Sequence, residues 1–372
     1  MDTSASPLGS VSAVPPAARV YLRPLGILRA EAAADAVAGG WALPLGAGTG
    51  AFTAAELWLR EGARLERASI PVAGLAAWGA QRGQGVAAAL TRRLDRLTNP
   101  SAWPAGLPDH RPLIMGIVNV TPDSFSDGGR FLAPADAIAE GRAQHAAGAD
   151  IVDIGGESTR PGAEPVPVGE EIERVVPVIE ALAASGILVS IDTRKAAVMR
   201  AAIAAGARLI NDITALRHDP DSLGVAGESG LPVVLMHSQG EPATMQRQPR
   251  YSCAPLDVLD HLEQRIEAWV AAGFERGRLL IDPGIGFGKS VAHNLEILSR
   301  LGLCLGLGRP LLLGVSRKSF IARRGGDAPP AGRLPGSLAA ALAGVAQGVA
   351  IVRVHDVGAT RQALRVWQDL QV

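Results

Sequence analysis

Acidic and amide side chains stand where three short apolar runs of the chain end. Asp192 follows Val-Ser-Ile, Asp282 follows Leu-Leu-Ile, and Asn211 is followed directly by Asp212. If the runs are parallel strands of one sheet, their carboxyl ends lie on one face and bring these side chains together. Carboxylates and amides held there can form paired hydrogen bonds with the N–H-rich edge of a heterocycle. A single Asp could equally cap the next helix or bond to loop backbone, but three converging strands favour a binding site.

Basic side chains follow other apolar runs and form a second candidate group. Its members are Arg160, Arg317, Lys318, Arg353 and His355. In a closed barrel the first, second, seventh and eighth strands are neighbours, and the loops after the last two often bind phosphate. The group therefore predicts a site for an anion such as phosphate or diphosphate. The alternative is a solvated rim of salt bridges.

Glycine-rich segments add two candidate loops. Segments 123–129 (DSFSDGG) and 158–171 have the composition of long loops, which on a rigid scaffold are more often functional than decorative. Segment 282–290 (DPGIGFGKS) is close to a nucleotide P-loop, but Pro283 occupies the position of the first glycine, so we reject that interpretation. No cluster has zinc spacing, whereas Mg²⁺ needs only one protein oxygen plus substrate phosphates.

These clusters are separated by a regular alternation of strand and helix patterns. Eight runs rich in Ile, Val and Leu predict strands at 113–118, 150–154, 187–191, 208–210, 232–236, 279–281, 311–315 and 350–354. Helices are predicted at 134–147, 169–184, 195–205, 219–229, 255–272, 291–302, 336–347 and 357–370. The predicted fold class is α/β, a (β/α)8 TIM barrel preceded by a small N-terminal α/β accessory region. An open doubly wound sheet is the alternative, but it would leave half of the clusters away from the site.

Composition limits the classes of partner. Lys+Arg and Asp+Glu both number 36, which gives no electrostatic case for nucleic acid or an anionic membrane. Cys253 and Cys304 stand alone, as is typical of reduced cysteines in a cytosolic protein. The N-terminus lacks the pattern of a signal peptide, and the uncharged stretch 335–352 fits a barrel helix better than a membrane span.

The first hundred residues carry no catalytic motif. Residues 1–18 are rich in Ser, Ala and Pro and predict a disordered tail. Residues 19–105 are predicted to form an accessory region, with an amphipathic helix over 80–97 and a breaker cluster that links it to a barrel at 110–372. We expect residues 1–105 to be dispensable for chemistry.

Read in order, the strand ends resemble those of the dihydropteroate synthase family. The segments are MGIVNVTPDSFSDGG, DIGGESTRPGA, SIDTRK, INDI, MHSQG, DPGIGFGK, GVSRKSF and VRVHDV, spread over roughly 110–372. One departure is Ser238, where the family often has Met. The resemblance implies a pterin-binding barrel that condenses 6-hydroxymethyl-7,8-dihydropterin diphosphate with p-aminobenzoate, giving 7,8-dihydropteroate and diphosphate. It also implies folate biosynthesis in the cytoplasm, a homodimer, Mg²⁺ as cofactor and sensitivity of the family to sulfonamides.

The resemblance assigns the site residues by motif. The pterin-binding residues would be Asp192, Asn211, Asp282, Lys318 and Arg353. The diphosphate would be held by Asn119, Arg353 and His355, with Mg²⁺ at Asn119. The aminobenzoate pocket would be formed by Phe125, Thr159, Pro161, Phe287 and Ser319. The catalytic residues would be Asp127, Arg160 and Lys318, of which the first two lie on the closing loops.

Two other functions stay open. A methyltetrahydrofolate-binding methyltransferase would share the pterin-reading Asp and Asn, but it would not need DSFSDGG, STRPG and SRKS, all of which are present. A catalytically inactive pterin-binding subunit would be indicated by the loss of Asn119, Lys318 or Arg353, and none is lost.

Overall fold

The computed structural model describes residues 18–46, 50–100, 102–121, 134–158, 164–240 and 244–371. The tail predicted at 1–18 lies outside this part of the chain, apart from Ala18. Five predicted site residues also lie outside the described residues: Phe125, Asp127, Thr159, Arg160 and Pro161.

The N-terminal region is an antiparallel sheet covered by helices. Its strands are β1 Arg19–Arg29, β2 Leu43–Leu45, β3 Gly50–Glu61 and β4 Arg64–Pro71, and its helices are α1 Ala30–Ala38, α2 Leu75–Ala80 and α3 Gln84–Thr98. The single helix predicted at 80–97 is wrong at its start, because α2 ends at Ala80 and α3 begins only after Gly83. That glycine has φ +96°, which no residue of a right-handed helix adopts.

Two adjacent strands of this sheet are buried on both faces. Alternate side chains of a strand point to opposite faces, so Val20 and Leu22 pack into the unit's own core, while Tyr21 between them packs with the barrel core. On β3, Trp58 pairs in register with Tyr21 and joins the same barrel core. The sheet is therefore sandwiched between its own helices and the outside of the barrel.

Eight parallel strands form the barrel. They are β5 Leu113–Asn119, β6 Ile151–Gly155, β7 Val189–Asp192, β8 Leu209–Asp212, β9 Val233–Met236, β10 Leu279–Asp282, β11 Leu312–Gly314 and β12 Ile351–Val354. The order is β10-β9-β8-β7-β6-β5-β12-β11, and a parallel bridge from Ile281 to Leu311 closes the ring. The predicted (β/α)8 barrel is confirmed, and the open sheet is wrong.

Helices surround the barrel between the strands. They are α4 Pro134–Ala146, α5 Val168–Ala184, α6 Ala196–Ala205, α7 Ser222–Glu228, α8 Ala254–Ala271, α9 Val291–Leu298, the short α10 Ser319–Ala322, α11 Leu334–Ala346 and α12 Val357–Asp369. The sixth predicted helix is shorter than expected, since α9 ends at Leu298 and a 3-10 segment, Leu301–Leu307, follows it. Within the described ranges, no helix has the length and apolar character needed to cross a membrane.

Candidate active site

Arg353 joins three strands at the carboxyl end of the barrel. From β12 its Nε donates to Asp153 Oδ2 on β6 at 2.6 Å, and its Nη2 donates to Asp192 Oδ2 on β7 at 2.7 Å. Asn211 on β8 donates to the same Asp153 oxygen at 3.1 Å. The prediction that separate strand ends converge is therefore confirmed for three of the predicted residues: Asp192, Asn211 and Arg353.

Asp153 is the central acceptor of this cluster and was missed from the sequence. It lies inside the apolar run of β6, and its side chain has 0% exposure. Its Oδ1 has no hydrogen-bond partner among the described residues. A buried carboxylate oxygen without a partner is costly, so such atoms are typical of sites completed by a ligand or water. A charge inside a strand buried on both faces was the signal that could have revealed it.

Burial changes the protonation of the two predicted strand-end carboxyls. Burial raises the pKa of Asp192 to about 7, with the nearby Asp153 also raising it and Arg353 opposing the change. Burial likewise raises the pKa of Asp282, although the Gly284 N–H donates to its Oδ1 at 2.7 Å. Each carboxyl can thus gain a proton more easily than an exposed one, and can serve as donor or acceptor to a heterocycle.

Asp212 has a structural role instead. Its Oδ1 accepts hydrogen bonds from the Thr214 backbone N–H at 2.6 Å and the Thr214 hydroxyl at 2.7 Å. Its Oδ2 accepts from the Leu216 N–H at 3.1 Å. Ala215 and Leu216 have φ +53° and +60°, so this carboxylate stabilises a strained turn. The alternative of bonding to loop backbone therefore applies to Asp212, and burial raises its pKa to about 6.

Lys318 and Phe287 form the opposite wall of the cleft. The Lys318 Nζ lies 4.2 Å from the centre of the Phe287 ring, and Nζ has no hydrogen-bond acceptor in the described part of the chain. Burial lowers the pKa of Lys318 to about 8, with Asp282 opposing the change. The cleft is lined by Asp192, Asn211, Ile213, Met236, Asp282, Gly284, Ile285, Phe287, Gly314, Lys318 and Arg353. Its mixed polar and apolar walls suit a flat heteroaromatic ring.

The predicted anion group separates into two parts. His355 lies beside Ser316, whose hydroxyl is 3.0 Å from His355 Nδ1, and burial lowers the His355 pKa to about 3. Its imidazole is therefore neutral near pH 7 and can donate one hydrogen bond. Arg317 binds the Asp356 carboxylate with both Nε and Nη2, so the salt-bridge alternative applies to this residue. Its assignment to the anion group stays a prediction, since this guanidinium is held by Asp356 on the strand-to-helix turn after β12.

Asn119 and Ser319 lie at the edges of the site. Asn119 ends β5 in register with Gly155, and a Cβ on that glycine would lie 3.6 Å from Asn119 Oδ1 and from Asp192 Cβ. Asn119 and Asp192 therefore lie on the two strands that flank β6, and Gly155 places no side chain between them at that register. Ser319 is exposed at the first position of α10, directly after Lys318.

Lys289 organises the loop that carries Phe287. Its buried Nζ donates to the backbone oxygens of Gly284 at 2.8 Å and Phe287 at 3.0 Å, and lies 2.9 Å from His237 Nδ1. Burial lowers the Lys289 pKa to about 7. The Lys289 ammonium thus donates to carbonyls of its own loop. This arrangement agrees with our rejection of a P-loop. Its role was not predicted, because hydrogen bonds to backbone carbonyls leave no sequence pattern.

The chain has three lysines, and all of them follow barrel strands. Lys195, after β7, donates to Glu157 Oε1 at 3.0 Å, to Glu171 Oε2 at 2.6 Å and to the Val166 carbonyl. Lys195 and Lys289 are thus saturated with acceptors, and Lys318 is not. Among the described residues, no group of three or more His, Cys, Asp or Glu side chains could hold a metal ion.

Comparison with known proteins identifies one family. The family model described as pterin binding enzyme matches residues 115–355. The dihydropteroate synthase of Escherichia coli K12 is 47% identical over 256 residues, which cover 68% of this chain and 90% of the relative. That of Haemophilus influenzae is 47% identical over 258 residues, covering 69% and 93%.

Solved structures give the same answer. Yersinia pestis dihydropteroate synthase with a sulfonamide drug superposes with a TM-score of 0.69 at 45% identity, covering 73% of this chain and 98% of that one. Xanthomonas albilineans dihydropteroate synthase in complex with 7,8-dihydropteroate has a TM-score of 0.65 at 46% identity, covering 72% and 96%.

Proposed function

The chain belongs to the dihydropteroate synthase family, and we propose that it condenses 6-hydroxymethyl-7,8-dihydropterin diphosphate with p-aminobenzoate to give 7,8-dihydropteroate and diphosphate. The observation that carries this proposal is the cluster at Arg353, which unites Asp153, Asp192 and Asn211 opposite Lys318. Buried carboxyls and an amide can read a heterocycle edge, while the two cations face an anionic leaving group.

The pterin ring would lie in the cleft between these walls. Asp192, Asn211 and Asp282 would form hydrogen bonds with its N–H edge, and Lys318 and Arg353 would contact the ring. We add Asp153 to this group, because its Oδ1 is a buried acceptor with no partner in the described residues. Paired hydrogen bonds from fixed strands would hold the ring so that its methylene faces the barrel mouth.

Diphosphate departure needs charge neutralisation at that mouth. Arg353 and neutral His355 would hold the leaving group with Asn119, and Mg²⁺ would bind the Asn119 side-chain oxygen. A carboxamide oxygen is a hard donor of the kind Mg²⁺ prefers, and the ion takes its remaining ligands from substrate phosphates and water. When bound, the ion would neutralise charge that develops on the leaving oxygens.

Amine attack requires little base. Once the C–O bond breaks, the pterin methylene carries positive charge, and the aromatic amine of p-aminobenzoate attacks it and loses a proton. Phe287 and Ser319 would line the aminobenzoate pocket together with Phe125, Thr159 and Pro161, which lie outside the described residues. Asp127 and Arg160, also outside them, are proposed to close over the substrates and exclude water, which otherwise competes for the cation. Sulfonamides would compete for the same pocket.

A homodimer is the assembly we propose. Helix α11 carries no charged residue, and its Ala339, Ala343 and Ala346 are exposed. On the adjacent α12, Val366 is 57% exposed, and Leu370, directly after the end of that helix, is 75% exposed. A surface of this kind is typical of an interface between two copies. A cytoplasmic location is supported by the two cysteines, neither of which forms a disulfide.

The test is coupled turnover by the full chain. The protein is mixed with dihydropterin diphosphate, p-aminobenzoate and Mg²⁺, and both diphosphate and dihydropteroate are measured. We expect equal amounts of both products, lost in Arg353→Ala and retained in Arg82→Ala, which breaks an ion pair within the N-terminal region. Diphosphate without dihydropteroate would show that the protein cleaves the pterin substrate but does not join it to p-aminobenzoate. Pterin binding without either product would support the inactive pterin-binding subunit.

A further inference from the structure

The N-terminal region docks on a row of acids along helix α8. Asp257, Asp260 and Glu263 are spaced three apart and so share one helix face, which we name the acidic row. The Tyr21 hydroxyl donates to both oxygens of Asp260, at 2.8 and 3.0 Å. Arg93 donates to Glu263 at 2.6 Å. Every member of the row thus has a partner on the N-terminal sheet or its helices, because Asp257 pairs with Arg60.

The first acid of the row lies at the start of α8, on the side of the active site. Asp257 Oδ2 accepts from the backbone N–H of Ser252 at 2.8 Å and of Cys253 at 3.1 Å. Arg60 on β3 donates to Asp257 Oδ1 at 2.7 Å, and its other terminal nitrogen donates to the Ser252 hydroxyl. Although burial alone would raise it, the pKa of Asp257 is lowered by these donors, so the carboxylate stays ionised.

Tyr251, the residue before Ser252, contacts the loop after β10 that carries Phe287. Tyr251 donates its hydroxyl to the Gly288 carbonyl at 2.8 Å, and its ring packs edge-on against His293 with centroids 4.9 Å apart. Gly288 directly follows Phe287, whose ring lies against Lys318. A Cβ on Gly288 would come within 2.3 Å of the Gln239 carbonyl, so the loops after β9 and β10 are in close contact.

We infer that the N-terminal region positions the aminobenzoate wall of the active site, with Arg60 as the positioning residue. Arg60 holds Asp257 and Ser252, these hold the chain at Tyr251, and Tyr251 holds the loop that presents Phe287. The inference rests on the proposed function. It leaves open our expectation that residues 1–105 are dispensable for the chemical step, and it adds a role for them in p-aminobenzoate binding. The competing interpretation is that the same ion pairs only fasten one unit to the other.

Kinetics of four full-length variants separate these interpretations. Arg60→Ala should raise the KM for p-aminobenzoate about three- to tenfold, as expected for loss of its partly buried ion pairs with Asp257 and, at 3.5 Å, with Asp260. The kcat and the KM for the pterin substrate should change less than about twofold, and Arg60→Lys should restore part of the loss. Tyr251→Phe should reproduce the Arg60→Ala effect while leaving the N-terminal region unchanged.

Arg19→Ala is the matched control. Arg19 pairs with Asp260 at 3.1 Å and Glu263 at 3.3 Å, so it docks the same unit on the same row but does not touch Ser252 or Asp257. This variant should leave both KM values unchanged. Equal KM changes in Arg19→Ala and Arg60→Ala, or none in either Arg60→Ala or Tyr251→Phe, would overturn the inference.

Hydrogen exchange tests the same link without turnover. In the wild type and in Arg60→Ala, amide exchange is compared for segments 244–253 and 284–289, with 189–192 as an internal reference. We expect faster exchange in the first two segments and no change in the reference. Faster exchange without any turnover by the wild type would contradict the proposed reaction but not the positioning. Unchanged exchange with normal turnover would contradict the positioning alone.

Discussion

The acidic row on α8 and the barrel mouth are both built from acidic and basic side chains, but they differ in how fully these side chains are hydrogen-bonded. On the row, the carboxylates of Asp260 and Glu263 each meet donors from more than one side chain. At the mouth, Asp153 Oδ1 and Lys318 Nζ are left without hydrogen-bond partners in the described part of the chain. A satisfied polar network fastens two units, whereas an incomplete one is typical of a place where a ligand binds.

Removal of the central acceptor at the mouth should have the largest effect. Asp153→Ala leaves the Arg353 Nε and the Asn211 amide without their shared acceptor, and it removes an oxygen proposed to bind pterin. We expect kcat/KM to fall by about 10²-fold or more, since loss of one partner of a buried charge pair costs about 2–5 kcal/mol. Turnover is measured on protein whose circular dichroism matches the wild type. A loss below fivefold would show that the orphan oxygen has no function.

The corresponding change on the acidic row should affect stability and not turnover. Glu263→Ala removes the carboxylate that Arg93 and Arg96 share, at 2.6 and 2.7 Å. We expect the free energy of unfolding to fall by about 1–3 kcal/mol, because the mostly buried Arg93 loses its carboxylate partner and keeps only its bonds to the Val20 and Gly306 carbonyls. Urea denaturation gives this value, and Arg92→Ala, at an exposed position of the same helix α3, is the surface control. Turnover reduced as strongly as in Asp153→Ala would contradict the division between the two regions.

The pH profile sharpens the contrast further. Burial lowers the Lys318 pKa to about 8, so the fraction that is protonated falls as the pH rises through that value. If the ammonium form binds substrate, kcat/KM should fall above about pH 8, by roughly tenfold between pH 8 and 9.5. Lys318→Arg stays charged over this range, and its residual activity should lack the fall. A wild-type profile that is flat to pH 10 would exclude an essential Lys318 cation.

The strand ends could be located from sequence patterns. Each strand and helix repeat of a parallel barrel places the end of its strand on the same face, so residues at these ends lie close together. Asp192 and Asn211 were found in this way. Asp192 pairs with Arg353, and Asn211 shares the Asp153 acceptor with it, although Arg353 lies more than 140 positions away. Asp192 and Asp212 follow similar apolar runs, yet only the first faces the cleft. The difference is the turn at 214–216, which has positive φ values and is stabilised by the Asp212 carboxylate. No short sequence motif predicts a turn of this kind.

Neighbouring residues could also not be separated from the sequence. Arg317 and Lys318 are adjacent basic residues, but Arg317, at φ +58°, pairs with Asp356, while Lys318 lines the cleft. The docking of the N-terminal sheet was likewise beyond prediction. It depends on pairings such as Arg60 with Asp257, which join residues almost 200 positions apart and follow no local period.

The placement of the three lysines has a consequence for chemical labelling. The other basic side chains are arginines and histidines. In the described part of the chain, the outer surface therefore has no ε-amino group that an amine-specific acylating reagent could modify. Lys195 and Lys289 are buried and engaged with several acceptors, so Lys318 is the one ε-amine open to acylation. Apart from the terminal amine, an activated ester should therefore acylate Lys318 alone. The number of acyl groups bound should then equal the number of active sites that hold no ligand.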